Sequence, residues 1–310
     1  GISGIMSGIF VVAANSWMNS PTGFVWKDGK ATEIDPVAAM FNDAWFSQAL
    51  HMTLAAFVAT AFAVAGVHAF LLIKNRKNEF HKTALKIALS FGAVAAILQP
   101  LSGDISAKDV AKRQPAKLAA LEAHYKTSTH AGFVFGGIPN NKTEQVDYAI
   151  HVPGLLSYLA HGDFNAEVIG LDKFPKEERP PVVITHVAFQ IMILSGCLLA
   201  LAGLLFIIFS TRWKNILGKK WWLVFIAWLT PIGFIAVEAG WTVTETGRQP
   251  WIIYGVMKTK DAVSTMPGLQ YSFYSIMAVY VLLTIIIIWL MRKHIARLQT
   301  DYPSAKIETE

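Results

Sequence analysis

Apolar and polar residues follow one another along this chain in long blocks. Six apolar blocks are predicted to be helices, and most approach or exceed the roughly 20 residues that cross a bilayer. They cover residues 1–19, 46–73, 84–101, 182–211, 221–244 and 269–291. The pattern predicts an all-α, polytopic membrane helix bundle with six spans.

Lys and Arg are concentrated in alternate connections between these blocks. They cluster in residues 74–83 and 212–220 and in the tail that begins at Arg292. The positive-inside rule assigns such connections to the cytoplasm, so the long connection 102–181 faces outward. We therefore predict membrane helices at 1–101 and 182–291, an extracytoplasmic loop at 102–181 and a cytoplasmic tail at 292–310.

The composition agrees with a membrane protein and excludes several other classes. Of the 310 residues, 54% are hydrophobic and 15% are charged, whereas soluble domains carry about 25% charged residues. The net charge of +6 lies largely in short connections, which indicates membrane topology and no nucleic-acid partner. Cys197 is the only cysteine, which rules out an iron–sulfur cluster or heme attachment through paired thiols within this chain.

The first apolar block starts at residue 1, without a charged leader or a cleavage-site pattern. It is not typical of a signal peptide. We expect that residue 1 lies within a membrane helix and that the chain is part of a longer protein.

The stretch Ala236 to Trp251, AVEAGWTVTETGRQPW, holds the most informative side chains. Glu238, Trp241 and Glu245 are spaced i, i+3 and i+7, so they share one helical face. A carboxylate in a bilayer is costly unless it is paired, protonated or bound to a metal. The spacing leaves two interpretations open, a structural pair with a neighbour such as Arg248 or a functional site.

A Trp-x-x-x-Glu followed directly by GRQPW resembles subunit I of the cytochrome bd quinol oxidases. The resemblance implies that Glu245 is an axial ligand in a site that holds two high-spin hemes. Arg248 would then neutralise heme propionates, because a guanidinium binds a carboxylate through two parallel hydrogen bonds. Trp241 would shape the electron path or a heme face, and the shared helical face makes Glu238 a candidate proton relay.

Two further segments resemble the heme-binding helices of that family. His51 lies in WFSQALHMTLAAF and Met192 lies in THVAFQIMILSG. Such residues in apolar helices most often only pack, but the resemblance implies that they are the two axial ligands of a low-spin heme b. The family commonly has Arg two residues before the Met, where this chain has Gln190. That puts the local interaction in doubt, and His186 is a substitute donor to a propionate.

A second histidine, His68, follows His51 by 17 residues on the same predicted span. Two such residues also suggest a membrane cytochrome with one heme near each face. That arrangement needs another helix with a similar pair, which the sequence lacks. We predict that His68 makes a polar contact at the cytoplasmic boundary.

The segment PAKLAALEAHY, residues 115–125, is either a solvated amphipathic helix or a quinol site. It resembles the quinol-oxidation loop of the same family, of the shorter type. The resemblance implies that Lys117 orients a quinone oxygen. Glu122 would accept a proton as a general base.

Together these features imply an iron-dependent terminal oxidase of a respiratory chain. Its heme-bearing subunit would oxidise quinol, reduce dioxygen to water and contribute to the proton motive force. The cofactors would be low-spin heme b, high-spin heme b, and heme d or a further heme b. The partners would be subunit II and a small accessory subunit, in a bacterial or archaeal plasma membrane.

Two alternatives remain open. One is a heme b anchor that passes electrons between quinone and a partner dehydrogenase, and the other is a transporter that uses Glu238 and Glu245 for coupling ions.

Overall fold

The structure is a computed structural model that describes the backbone of residues 1–212 and 215–301 and the side chains up to residue 297. Lys214, which we assigned to a cytoplasmic connection, and residues 302–310 of the predicted tail lie outside the described residues. Two compact units, Gly1–Ala262 and Val263–Glu310, divide the chain.

Helices dominate both units. Their bounds are α1 Ile2–Asn19, α2 Pro36–Met40, α3 Trp45–Lys74, α4 Glu79–Arg113, α5 Pro115–Leu121, α6 Leu155–His161, α7 Val182–Arg212, α8 Lys220–Trp228, α9 Ile232–Thr246 and α10 Leu269–Asp301. Helix α10 belongs to the second unit, and the others belong to the first.

Within the described residues, four short antiparallel strand pairs lie in the connections. The strands are β1 Val25–Lys27, β2 Lys30–Thr32, β3 Phe133–Phe135, β4 Ile138–Asn140, β5 Gln145–Asp147, β6 Ile150–Val152, β7 Trp251–Ile253 and β8 Met257–Lys258. The pairs are β1–β2, β3–β6, β4–β5 and β7–β8. These strands organise the loops at one end of the helices.

Five stretches of the described residues are long and apolar enough to cross a membrane: α3, α4, α7 with the residues just before it, α8 with α9, and α10. The first predicted span, 1–19, is helical as α1 but is not among the five. Its last turns carry Asn15, Ser16 and Asn19, which lower the hydropathy of the helix.

Two predicted boundaries differ from the structure. Helix α4 continues to Arg113, so residues 102–113 of the predicted loop are helical. Apolar residues end near 101, but pairs four residues apart sustain the helix, such as Lys108 with Asp104 at 2.6 Å. The predicted span 221–244 is two helices, because Pro231 interrupts the hydrogen bonding between α8 and α9.

Helices α3 and α4 form an antiparallel hairpin, and α7 and α9 pack against them. Small residues allow close crossings. A Cβ on Gly203 of α7 would lie 2.9 Å from the Ala93 Cα of α4, and one on Gly233 of α9 would lie 2.6 Å from the Ala59 Cα of α3. Helix α7 thus reaches the bundle through α4 and α9, and makes little direct contact with α3.

The loop between α4 and α7 folds onto one end of this bundle, which we call the loop end. Helix α5 is buried from Ala116 to Leu121. Leu118 of α5 packs with Phe133 of β3 and Leu156 of α6 in a small core. The loop is therefore an ordered layer, and α5 forms its inner surface.

Candidate functional site

Glu245 and Arg248 form an ion pair where α9 ends. Arg248 Nη2 donates to Glu245 Oε2 at 2.6 Å, and Asn15 Nδ2 of α1 donates to Glu245 Oε1 at 2.8 Å. Arg248 is 2% exposed, and its Nε and Nη1 are buried without a hydrogen-bond partner among the described residues. The ion pair agrees with the structural interpretation of Glu245, and the two unused buried donors of Arg248 leave room for the functional interpretation as well.

Lys117 of α5 lies beside this pair. Its Nζ donates to the Thr244 carbonyl oxygen at 3.4 Å, and a Cβ on Gly247 would lie 3.0 Å from Lys117 Cε. Only Gly leaves room for the Lys side chain at that position. Burial lowers the pKa of Lys117 to about 8; Arg248 also lowers it, and Glu245 opposes the shift.

A cavity of about 180 Å³ opens beside Lys117 and Arg248. Glu178, Trp251 and Tyr254 also line it. The Glu178 carboxylate is paired with Lys258 at 3.0 Å, so it does not balance the two buried cations. Among the described residues, Glu245 is the only carboxylate paired to Arg248. The arrangement therefore carries an excess of positive charge and fits a further carboxylate.

Glu122 follows α5 directly and is 3% exposed. Its Oε2 is buried and has no hydrogen-bond partner among the described residues. Burial raises the pKa of the Glu122 carboxyl to about 8. Lys117 and Glu122 are five residues apart, about 140° around a helix, so their side chains lie on different faces and have different neighbours. Neither is a solvated surface residue.

His51 lies about 9 Å along α3 from its start at the loop end. Its Nδ1 lies 2.9 Å from Ser102 Oγ, which donates to the Gln99 carbonyl oxygen at 2.8 Å. Gln99 Nε2 can only donate hydrogen bonds, and it lies 3.1 Å from His51 Nε2. The consistent assignment has Nδ1–H donating to Ser102, so Nε2 keeps its lone pair.

That tautomer is the one a metal-binding histidine needs, with the second nitrogen held by a hydrogen bond. Iron at Nε2 would take the place of the Gln99 amide. Sequence reasoning missed both Ser102 and Gln99, because their proximity to His51 depends on the register of α3 against α4.

Met192 lies about 15 Å along α7 from the loop end. A Cβ on Gly240 of α9 would lie 3.3 Å from its sulfur. Since α3 and α7 both pack on α4 and α9, His51 and Met192 belong to two helices that flank the same pair of neighbours. Together with Glu245 at the end of α9, they lie toward the loop end.

His186 and Gln190 lie one turn apart on α7 and both bind loop backbone. His186 Nδ1 lies 2.7 Å from the Leu121 carbonyl oxygen, and Nε2 lies 3.2 Å from that of Gly136. Gln190 accepts from Gly136 N at 3.1 Å and donates to the Val134 carbonyl oxygen at 2.8 Å. Both ring nitrogens of His186 thus face loop carbonyl oxygens, and a neutral ring donates a hydrogen bond to only one of them. Its role as a propionate donor stays a prediction.

Glu238 and Trp241 lie on α9 with Glu245, as predicted. Glu238 is exposed on the described part of the chain, and none of the described residues donates a hydrogen bond to its carboxylate. Trp241 is half-buried. His68, by contrast, does make the predicted polar contact, with its Nδ1 3.0 Å from His81 Nδ1.

A chain of amides extends the Glu245 site to the loop. Asn15 Oδ1 accepts from Asn19 Nδ2 at 3.1 Å, and Asn19 Oδ1 accepts from Gln114 Nε2 at 3.3 Å. Gln114 also donates to the Asn19 carbonyl oxygen at 2.8 Å. Sequence reasoning missed these contacts, although the four-residue spacing of Asn15 and Asn19 on α1 was a usable signal.

Comparison with known proteins shows clear similarity. The family described as "Cytochrome bd terminal oxidase subunit I" matches residues 1–299. A putative cytochrome bd menaquinol oxidase subunit I of Bacillus subtilis (strain 168) is 36% identical over 300 residues, covering 93% of this chain and 67% of the relative. A cytochrome bd ubiquinol oxidase subunit 1 of the same organism is 33% identical, covering 94% and 65%.

The fold is similar to a solved structure as well. The structure of bd oxidase from Geobacillus thermodenitrificans superposes with a TM-score of 0.86 at 34% sequence identity, covering 96% of this chain and 68% of that chain. This chain therefore spans about two thirds of the length of the proteins it matches.

Proposed function

The chain belongs to the cytochrome bd terminal oxidase subunit I family, and we propose that it is the heme-bearing subunit of a complex that oxidises quinol and reduces dioxygen to water. The observation that carries this proposal is the burial of Lys117 and Glu122, at 5% and 3% exposure, against the helices that hold Met192 and Glu245. A solvated amphipathic helix would expose both charges. Their burial supports a site in the loop that handles protons.

His51 and Met192 would hold the low-spin heme b. The Ser102 hydroxyl keeps the His51 ring in the tautomer with an unprotonated Nε2. The half-buried Met192 sulfur faces the small residue Gly240, which leaves room beside the sulfur. A thioether ligand raises the reduction potential relative to a second histidine, which suits an electron acceptor for quinol.

Glu245 would ligate iron in the high-spin site, which takes heme b together with heme d or a further heme b. Arg248 and Asn15 hold its two oxygens. The Nε and Nη1 donors of Arg248, which have no partner in the described part of the chain, fit a heme propionate. The hemes, when bound, supply the one-electron acceptor and the oxygen chemistry.

Quinol oxidation releases two protons with two electrons, and the chain's own residues handle the protons. Glu122, ionised, accepts one from a quinol hydroxyl as a general base. Lys117, as a buried cation of the same loop, orients a quinone oxygen. Glu238 is a proton-relay candidate because its carboxylate is unpaired in the described residues, and Trp241 lies one turn from Glu245.

We place the complex in the plasma membrane of a bacterium or archaeon, with the loop at 114–181 extracytoplasmic. Subunit II, and a small accessory subunit, would complete it. The family assignment does not favour a heme b anchor for a dehydrogenase or an ion-coupled transporter.

Oxygen consumption by the purified full-length complex tests the proposal. It should take up oxygen when supplied with a short-chain quinol. The rates with ubiquinol and menaquinol analogues are compared to identify the preferred quinol. Met192→Ala should lose the low-spin heme signal and quinol-driven uptake together. A heme-loaded complex that passes quinol electrons to an added acceptor but never to oxygen would support the anchor instead.

A further inference from the structure

The pair His186 and Gln190, which we call the α7 clamp, joins the two arms of the loop to a single helix. One arm is the end of α5, where Leu121 is followed directly by Glu122. The other is the turn after β3, at Gly136. Four contacts of 2.7 to 3.2 Å join the clamp to these arms.

The clamp contacts both polar groups of the Gly136 backbone. Its N–H donates to Gln190, and its carbonyl oxygen faces His186. Strand pairing of β3 with β6 ends at Phe135, so Gly136 has no strand partner. Gly136 also has a φ of +67°, a conformation that favours glycine. The turn is thus shaped to meet α7.

The chemistry of Gln190 matches this task. An amide offers both an acceptor and donors, as a backbone peptide does, and Gln190 uses one of each on Gly136 and Val134. His186 is fully buried, and Gln190 is 6% exposed. Unmade hydrogen bonds at buried positions are costly, so the clamp favours one placement of the loop.

Building on the proposed function, we propose that His186 and Gln190 are positioning residues that hold the Glu122 carboxyl at the quinol site by fixing both arms of the loop to the helix of Met192. His186 fixes the backbone directly before Glu122, because the Leu121 carbonyl that it contacts belongs to the peptide bond between Leu121 and Glu122. Gln190 is neutral, so its role is geometric and it does not set the heme's charge environment.

Gln190→Met tests the clamp in the full complex, since Met is similar in length, uncharged and cannot make either bond. Quinol binds only when the clamp holds the loop against α7. A smaller fraction of molecules with the loop in that position therefore raises the apparent KM in proportion. Losing both hydrogen bonds of Gln190 predicts a KM raised roughly fivefold to a hundredfold. The kcat and the low-spin heme midpoint potential should stay at wild-type values.

Amide hydrogen exchange gives a readout that does not depend on turnover. A peptide that contains Gly136 should exchange roughly tenfold faster in Gln190→Met, because the Gly136 N–H loses its acceptor. Ser195→Ala is the matched control, a buried polar residue on the same helix. It should leave exchange, KM and midpoint potential unchanged.

His186→Gln provides a second variant if Gln190→Met does not assemble, and it should also raise KM and accelerate loop exchange. A shifted midpoint potential with wild-type KM and exchange would overturn the proposal, because the residue would then act on the heme. A wild-type complex with full heme but no quinol oxidation would contradict the proposed function. In that case the exchange comparison would still decide for or against the clamp.

Discussion

Replacing Glu122 by Gln tests the proton chemistry of the loop. The amide keeps the shape of the side chain but cannot take a proton from quinol. Burial puts the pKa of Glu122 at about 8, and burial also puts the pKa of Lys117 at about 8. The competent enzyme has Glu122 ionised and Lys117 protonated, so activity rises as Glu122 deprotonates and falls as Lys117 deprotonates.

These values predict the shape of the pH profile. The fraction with both groups in the competent form is about one quarter at pH 8 and about one twelfth at pH 7 and pH 9. Wild-type kcat/KM should therefore be bell-shaped, with a maximum near pH 8 about threefold above its value one pH unit to either side. Initial rates of oxygen uptake at limiting quinol give this profile.

In Glu122→Gln the rising limb should disappear, and the rate should fall by about a hundredfold or more, the usual contribution of a general base. Glu167→Gln, an exposed carboxylate of the same loop, should keep the wild-type rate and profile. The heme spectrum of both variants should be that of the wild type. A Glu122→Gln complex that keeps the bell and the rate would refute the assignment of Glu122 as the base.

Two further substitutions test the packing of the site and the bundle. Arg248→Gln removes the ion pair with Glu245 and should lower the free energy of unfolding by about 2 kcal/mol, the typical contribution of a hydrogen bond to a charged group. The heme-to-protein ratio of the high-spin site should also fall, and an unchanged ratio would contradict the role of Arg248. Gly203→Val should lower the free energy of unfolding by about 1–3 kcal/mol, because its Cβ would lie 2.9 Å from the Ala93 Cα. Gly196→Val is the control on the same helix, because nothing lies within 4 Å of a Cβ at that position. In a thermal melt it should destabilise the protein less than Gly203→Val, and equal destabilisation would contradict the close crossing of α7 and α4.

The apolar blocks predict the helices well because a span must satisfy every backbone group within itself. Hydropathy alone does not mark where such a helix ends. Residues 102–113 are largely polar yet continue α4, and Pro231 divides a block that is largely apolar. Helix ends depend on local hydrogen bonding and side-chain pairs, which the hydropathy pattern does not contain.

The candidate residues divide in the same way. The spacing on α9 predicts that Glu238, Trp241 and Glu245 share a helix, and the proximity of Arg248 explains the ion pair. The burial of Lys117 against Gly247, and the contacts of Ser102 with His51, join segments far apart in the chain. Such contacts depend on the register and crossing of helices, so they emerge only from the folded structure.

His186 and Gln190 illustrate the limit of residue-by-residue transfer. A polar side chain near a predicted heme ligand suggests a contact with the heme. In the fold, both side chains face the loop and satisfy its backbone, because strand pairing ends one residue before Gly136. The need of buried peptide groups for partners decides their role.

The reduced-minus-oxidised absorption spectrum of the complete complex is the most direct test of the proposed heme ligands. We expect a low-spin heme b signal in the wild type that is lost in Met192→Ala, while the high-spin signals remain. A far-red band would identify heme d in the high-spin site. Identical spectra for wild type and Met192→Ala, at equal heme content, would contradict the ligand set of His51 and Met192.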